Sequence, residues 1–206
     1  MSTSSFSQRE RAVAQLRARG LVRASEMREI GVTATTIARL ERDGVAVRLA
    51  RGVYQLADAP LSLQHTLALA SKLVPSGVIC LTSALAFHEL TDQIPAKVWM
   101  AIGQKDWKPS FDYPPVRFIR SPAPRDDPDA ERHAIDNVSV PVFSVARTIA
   151  DLFRYRKKVG LNTALEGLRE ALMQKKATPA EIAQHAADAG VWKILEPYLT
   201  AMVSHA

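Results

Sequence analysis

The sequence predicts an α+β protein: an N-terminal winged helix-turn-helix domain, followed by a mixed α/β C-terminal domain that ends in several helices. Two observations support this prediction. Three short helical patterns and a hairpin pattern follow one another within the first 58 residues, which is the element order of a winged helix-turn-helix. Beyond residue 61, short apolar runs alternate with helical patterns, and residues 145–203 are almost continuously helical in pattern. A length of 206 residues accommodates two such domains.

The first two helical patterns have recognisable beginnings and ends. Ser7 is suited to cap a helix over Gln8–Arg19, and Gly20 follows as a stop. The second pattern, Ser25–Ile30, starts at a residue that can cap it and is followed by Gly31. The short turn after Gly31 predicts a steep angle between the second helix and the third.

The third helical pattern begins after Thr33, a good N-cap, and ends at Asp43. On a helical wheel, Ile37 and Leu40 share one face and are expected to pack on the first two helices. The opposite face carries hydroxyls and arginines, an arrangement that suits insertion into the DNA major groove. The residues predicted to contact DNA from this helix are Thr35, Thr36, Arg39 and Arg42.

Two β-branched runs, Val45–Arg48 and Val53–Leu56, are joined by the glycine-containing segment Leu49–Gly52. This pattern predicts a β-hairpin, the wing. Arg48 and Arg51 lie on it and are expected to contact the DNA backbone or the minor groove. Near the second helix, Arg23 and the cap Ser25 are expected to contact phosphate.

The positive charge is concentrated in the N-terminal segment. Residues 1–58 contain ten arginines, six acidic residues and no lysine, so they carry four of the six net positive charges. The planar guanidinium group of arginine suits bidentate contacts with phosphate and guanine. A general arginine bias in the genome would not explain this concentration. The remaining alternative is a solvated helix face whose arginines pair with Glu41 or Asp43.

The segment Ala57–Pro60 marks the predicted domain boundary, because proline disfavours a helix directly before it. The first domain thus covers residues 1–58 and the second covers residues 61–206. In the second domain, the patterns predict helices over Leu61–Leu73, Ser83–Leu90, Val145–Tyr155, Asn162–Lys175, Pro179–Ala189 and Val191–Val203, and strands over Val78–Leu81, Val98–Ile102, Val116–Ile119 and Val138–Phe143.

Several classes of site are not predicted. Cys80 is the only cysteine, and the histidines are scattered, so no metal site is expected. The glycines form no phosphate-binding loop, and no serine has the surroundings of a catalytic nucleophile. No cofactor and no catalytic residue are therefore predicted. The chain shows neither a membrane span nor a signal peptide, so a cytoplasmic protein is expected. Trp99, Trp107 and Trp192 are expected to be packing residues.

Several motifs along the chain occur together in one known family. They are the wing element Arg51-Gly52-Val53-Tyr54 and the segments from Cys80 to Thr91, from Val98 to Met100 and from Ala164 to Glu166. The most specific is the segment from Ser144 to Gly160, which contains the pattern Arg-Thr-x-x-Asp-Leu-Phe-x-Tyr-Arg. With these motifs, nearly the whole chain resembles the AbiEi family, the antitoxins of type IV toxin–antitoxin systems.

The resemblance implies a two-domain repressor and antitoxin that is not an enzyme. Its N-terminal domain would bind double-stranded DNA at inverted repeats in its own promoter. Its C-terminal domain would counteract a nucleotidyltransferase-like toxin, with which it need not form a stable complex. The short N-terminal arm and the absence of a long linker depart from the family pattern and point to weaker cooperativity.

A second basic cluster lies within the most specific motif. Arg147 and Asp151 are four residues apart and can pair on a helix, which favours a structural role. The remaining cations could form a surface for DNA, RNA or an acidic toxin, although cations at a helix end also complement the helix dipole. The cluster consists of Arg147, Asp151, Arg154, Tyr155, Arg156, Lys157 and Lys158.

Two alternative functions remain open at this point. One is a transcription regulator whose C-terminal domain senses a ligand. The other is a metal-dependent nuclease that the winged helix directs to DNA. Its acid-x-Lys element would be Asp106-Trp107-Lys108, although the proline-rich loop that follows is a poor place for a rigid site.

Overall fold

The computed structural model describes residues 6–60, 64–122 and 124–204. The chain forms two compact units. The first consists of Met1–Pro75, Pro109–Pro115 and His133–Val140, and the second of Ser76–Lys108, Val116–Arg132 and Pro141–Ala206. The first unit thus extends past residue 58, where the sequence analysis places the end of the first domain.

The first unit begins with a winged helix-turn-helix. In chain order, its elements are α1 (Gln8–Arg19), β1 (Val22–Arg23), α2 (Ala24–Glu29), α3 (Ala34–Arg42), β2 (Ala46–Ala50) and β3 (Val53–Leu56), followed by α4 (His65–Leu73). The three strands form an antiparallel sheet in the order β1-β3-β2. The predicted bounds of α1 and the predicted N-cap of α3 are confirmed.

Side-chain caps determine where α1 and α3 begin. The hydroxyl of Ser7 accepts a hydrogen bond from the backbone N–H of Glu10, whose carboxylate accepts one from the N–H of Ser7. This reciprocal pair is a capping box. Gly20 ends α1 with a φ of 65°, a conformation that favours glycine. Thr33 caps α3 by accepting from the N–H of Thr36.

One apolar cluster holds the winged helix together. Ile37 and Leu40 are buried, as predicted from their spacing, and Met27 of α2 is buried with them. Leu16 of α1 and Tyr54 of β3 belong to the same cluster. Because α3 contributes its apolar face to this core, its opposite face is left for other contacts.

Two predictions for this unit are wrong in detail. Arg23, not Ser25, is the N-cap of α2, because the carboxylate of Glu26 accepts from the N–H of Arg23. The turn of the wing is shorter than Leu49–Gly52, because Leu49 and Ala50 belong to β2. The two-residue strand β1 was not predicted. The predicted start of the helix at Leu61 lies outside the described residues.

The second unit packs helices against a mixed sheet. Its elements are β4 (Val78–Ile79), α5 (Leu81–Phe87), β5 (Val98–Ile102), β6 (Val116–Arg120), a 3-10 turn (Pro124–Asp126), β7 (Ala130–Ile135), β8 (Val138–Phe143), α6 (Val145–Arg154), α7 (Arg156–Val159), α8 (Leu161–Met173), α9 (Pro179–Asp188) and α10 (Trp192–Val203). The tip of the β7–β8 hairpin belongs to the first unit. The sheet order is β6-β5-β4-β8-β7. Strand β4 is antiparallel to β5 and parallel to β8.

The structure corrects two predictions in this region and adds two elements that were not predicted. Leu81 is not part of a strand but begins α5 with a φ of 49°. Strand β7 and helix α7 were not predicted. Trp107 is not a packing residue, because 87% of it is exposed.

The core of the second unit combines sheet and helices. Phe143, Leu152 and Phe153 are fully buried in it. Cys80 is also fully buried, and this burial raises the pKa of its thiol well above the ordinary value. None of the helices in the described part of the chain has the length and apolar character needed to span a bilayer.

Candidate nucleic-acid interface

Helix α3 presents its predicted polar face to solvent. Thr35, Arg39 and Arg42 are exposed. On the other side of the same helix, Ile37 is 4% exposed and Leu40 is 1% exposed. The helix thus has the apolar back and basic front that a recognition helix requires.

The arginines of α3 are not neutralised by the nearby acidic residues. Asp43, at the end of α3, pairs with Arg9 of α1 through an Nη1–Oδ2 distance of 2.8 Å. Within the described residues, neither Arg39 nor Arg42 takes part in an ion pair. The alternative in which these arginines pair with Glu41 or Asp43 is therefore not what the structure shows.

Gln8 fixes the N-terminus of α3, a role that the sequence analysis missed. Its Oε1 accepts hydrogen bonds from the backbone N–H and the hydroxyl of Thr33, both at 3.0 Å, and from the hydroxyl of Thr36 at 2.8 Å. Thr36 is half-buried for this reason, and its hydroxyl already has a partner. No local sequence signal links the first residue of α1 to the cap of α3, because the contact depends on the tertiary fold.

The turn between α2 and α3 is held from α1 as well. Arg11 donates from Nη2 to the carbonyl of Gly31 at 3.3 Å. Gly31 has a φ of 76°, a conformation that glycine adopts without strain. The N–H of Val32 donates to the carbonyl of Met27 at 3.0 Å. These contacts set the direction in which α3 leaves the turn.

The wing carries the other two predicted arginines. Arg48 and Arg51 are both exposed, and Arg51 lies at the tip beside Gly52. Pairing between β2 and β3 is irregular between Arg48 and Ala50. The carbonyl of Gly52 accepts from the N–H of Ala24 at 2.8 Å, which ties the wing to the start of α2.

Arg23 and Ser25 differ from each other in their surroundings. Arg23 is half-buried, and its guanidinium group donates to the carbonyl of Lys72 in α4. Ser25 is exposed in the first turn of α2. The side chains of Glu26 and Lys72 pair at 2.8 Å. Burial acts to raise the pKa of Glu26, but hydrogen bonds from Lys72 and Arg23 and the charges of Lys72 and Arg19 lower it overall.

In the second unit, half-buried Arg147 forms an ion pair with the buried carboxylate of Asp151. The distance from Arg147 Nε to Asp151 Oδ2 is 3.1 Å, and Arg147 Nη1 lies 3.1 Å from Asp127 Oδ2. Burial raises the pKa of Asp151, against the charge and hydrogen bond of Arg147, which lower it. The guanidinium group also lies over the ring of Phe143. These contacts are those of a pair that organises the interior of the unit.

The other members of the second cluster lie at the junction of α6 and α7. Arg154 and Lys158 are exposed, and both lie over the ring of Tyr155, at 5.7 Å and 5.4 Å from its centroid. The hydroxyl of Tyr155 donates to the carbonyl of Arg120. Arg156 donates to the carbonyl of Phe153, and Lys157 is exposed. The junction therefore presents a basic surface built around Tyr155.

The segment considered for a nuclease has a different arrangement. The carboxylate of Asp106 accepts from the N–H of Gly103 at 3.0 Å, and Arg120 donates to the carbonyls of both residues. Asp106 thus stabilises a turn. Over residues 6–60, 64–122 and 124–204, no three histidine, cysteine or acidic side chains are grouped so that they could hold a metal ion.

The element order, the β1-β3-β2 sheet and the basic front of α3 define a winged helix-turn-helix protein. Residues 8–57 match the sequence model of a family described as a transcriptional regulator, AbiEi antitoxin. The resemblance to this family is confirmed over these residues.

The fold is similar to a known crystal structure, that of the RV2827C protein from Mycobacterium tuberculosis. The TM-score is 0.62 at 16% sequence identity, and the match covers 95% of this chain and 77% of that chain. At this identity the likeness shows the fold alone. A comparison with curated protein sequences gives no match.

Proposed function

We propose that the protein represses its own toxin–antitoxin operon and also counteracts the toxin that the operon encodes. The winged helix-turn-helix binds inverted repeats in the promoter, with α3 in the major groove. The observation that supports this most strongly is the pair Arg39 and Arg42, exposed and without an ion pair among the described residues, on a helix whose other face is buried. Unpaired guanidinium groups are available for guanine and phosphate.

Each predicted residue has a part in the proposed complex. Thr35, Arg39 and Arg42 contact base edges and phosphates from α3, and Thr36 contributes from the edge of that face while its hydroxyl remains on Gln8. Arg48 and Arg51 contact the backbone or the minor groove from the wing. Arg23 and Ser25 lie at the start of α2, where the exposed hydroxyl of Ser25 can contact phosphate and the guanidinium group of Arg23 adds positive charge while it donates to Lys72. Because α2 would contact no base, its contribution to DNA affinity would not depend on the DNA sequence.

The antitoxin activity belongs, in this proposal, to the C-terminal domain, residues 61–206. The match of residues 8–57 to a family described as AbiEi antitoxin supports an antitoxin role for the protein as a whole. We propose that the toxin is a nucleotidyltransferase and that a stable complex with it is not required. The exposed cations at the α6–α7 junction, Arg154, Lys157 and Lys158, are the candidate surface together with Arg156, while Arg147 and Asp151 hold the interior.

A separation-of-function experiment on the full-length chain tests this division. The double variant Arg39→Glu, Arg42→Glu is expressed together with the toxin and, separately, with a promoter reporter. We expect loss of repression with full rescue of growth, because the charge reversal repels phosphate without touching the second unit. Retained repression would contradict the assignment of α3, and loss of rescue by a folded variant would contradict the division of roles.

A further inference from the structure

The first unit contains a cavity of about 340 Å³ that the proposed DNA interface does not use. It is lined by residues from the end of α1, from β3, from the start of α4 and from the turn at 136–137. Its volume lies within the range of small-molecule sites. The residues that matter for its chemistry are Leu16, Leu21, Gln55, His65, Asp136 and Asn137.

Gln55 is the unusual residue of this cavity. It lies in β3 between Tyr54 and Leu56 and lines the cavity together with Leu56. Gln55 is only 8% exposed, and its amide forms no hydrogen bond with any described residue. Buried amides are normally hydrogen-bonded. A donor and an acceptor of Gln55 are therefore available to a molecule in the cavity.

His65 supplies a second directional group. Its Nδ1 lies 2.7 Å from Oδ2 of Asp136. A carboxylate only accepts hydrogen bonds, so Nδ1 carries the proton and Nε2 is an acceptor in the neutral ring. Within the described residues, Nε2 has no hydrogen-bond partner. Asn137 adds another amide, and Leu16 and Leu21 provide apolar walls.

We propose that this cavity binds the adenine base of a free nucleoside. A glutamine amide forms a bidentate pair with the N6–H donor and the N7 acceptor of adenine. The leucine side chains cover the faces of the planar ring, and His65 accepts from a remaining N–H or hydroxyl group of the nucleoside. The site is independent of the DNA-binding residues, none of which lines it.

Titration of the full-length protein with adenosine tests this proposal, with inosine as the matched ligand. Inosine carries a carbonyl acceptor in place of the N6 donor and a proton on N1, and it keeps the N7 acceptor and the ribose. We expect saturable binding of adenosine by calorimetry, and affinity for inosine weaker by about tenfold or more, as for loss of a bidentate contact. In parallel, the side-chain NH₂ resonances of Gln55 should shift with adenosine.

Three variants complete the test. Gln55→Leu should lose adenosine binding by at least about tenfold, and Gln104→Leu, which changes an exposed glutamine elsewhere, should bind like the wild type. Asn137 has a φ of 60°, which glycine adopts without strain, so Asn137→Gly should fold. It should also weaken adenosine binding, and it keeps the proposal testable if Gln55→Leu does not fold. No saturable binding at millimolar adenosine, equal affinity for inosine, or unchanged binding by folded Gln55 and Asn137 variants would overturn the proposal.

Discussion

A single glutamine determines how firmly the recognition helix is held. Gln8 accepts hydrogen bonds from Thr33 and Thr36 at the start of α3. We predict that Gln8→Ala lowers the free energy of unfolding by about 1 kcal/mol, the usual net contribution of such contacts. Operator affinity should fall as well, because the first turn of α3 loses its anchor. Gln15→Ala, in the same helix but without a side-chain hydrogen bond among the described residues, is the control for urea denaturation.

Alanine substitutions at Gly20 and Gly44 distinguish the cost of backbone strain from the cost of a steric clash. Both have a positive φ, 65° and 69°. A Cβ at Gly20 would lie 2.5 Å from the carbonyl oxygen of Asp136, whereas one at Gly44 would have no neighbour within 4 Å. We predict that Gly44→Ala costs about 1 kcal/mol, the strain of a left-handed residue. Gly20→Ala should cost about 2 kcal/mol more, because overpacking is added. Equal unfolding free energies for the two variants would refute this close approach.

At the scale of elements, the wing should contribute affinity without sequence preference. Arg48 and Arg51 are exposed on β2 and the hairpin turn. We predict that replacing both with alanine weakens binding to operator and to random DNA by similar factors. Because each phosphate contact releases counterions, the slope of log K against log salt should become shallower by about 1.8. An unchanged slope in fluorescence anisotropy would mean that the wing does not contact phosphate.

The elements with strong local signals could be predicted from the sequence. Helix α1 has a capping box and a terminal glycine, and α9 has a capping threonine followed by Pro179. The failures have local causes. Strand β7, Ala130–Ile135, contains only one β-branched residue. The segment at Leu81 changes from strand to helix through a positive φ that leucine rarely adopts.

The part of the candidate site that depends on local sequence could also be predicted. The basic front of α3 follows from helical periodicity alone, and the exposure of Arg39 and Arg42 agrees with it. The contacts of Gln8, the pairing of Arg9 with Asp43 and the bond from Arg23 to Lys72 join residues far apart in sequence. Periodicity contains no information about such contacts.

At the scale of the whole molecule, the structure and the domain prediction divide the chain differently. The first unit includes α4 and the tip of the β7–β8 hairpin, so it is not a continuous segment. His65 of α4 and Asp136 of that tip are bonded inside it. Functional tests should therefore use full-length variants, since a cut after Pro60 would remove part of the first unit from the winged helix.

Operator binding by the full-length Arg39→Glu, Arg42→Glu variant tests the central claim most directly. The reference is Arg125→Glu, Arg132→Glu, which changes the net charge equally at two exposed arginines of the second unit. By anisotropy with the promoter fragment, the α3 variant should lose specific binding with an unchanged circular dichroism spectrum, and the reference variant should retain it. Wild-type affinity in the folded α3 variant would contradict the claim that α3 binds the operator through Arg39 and Arg42.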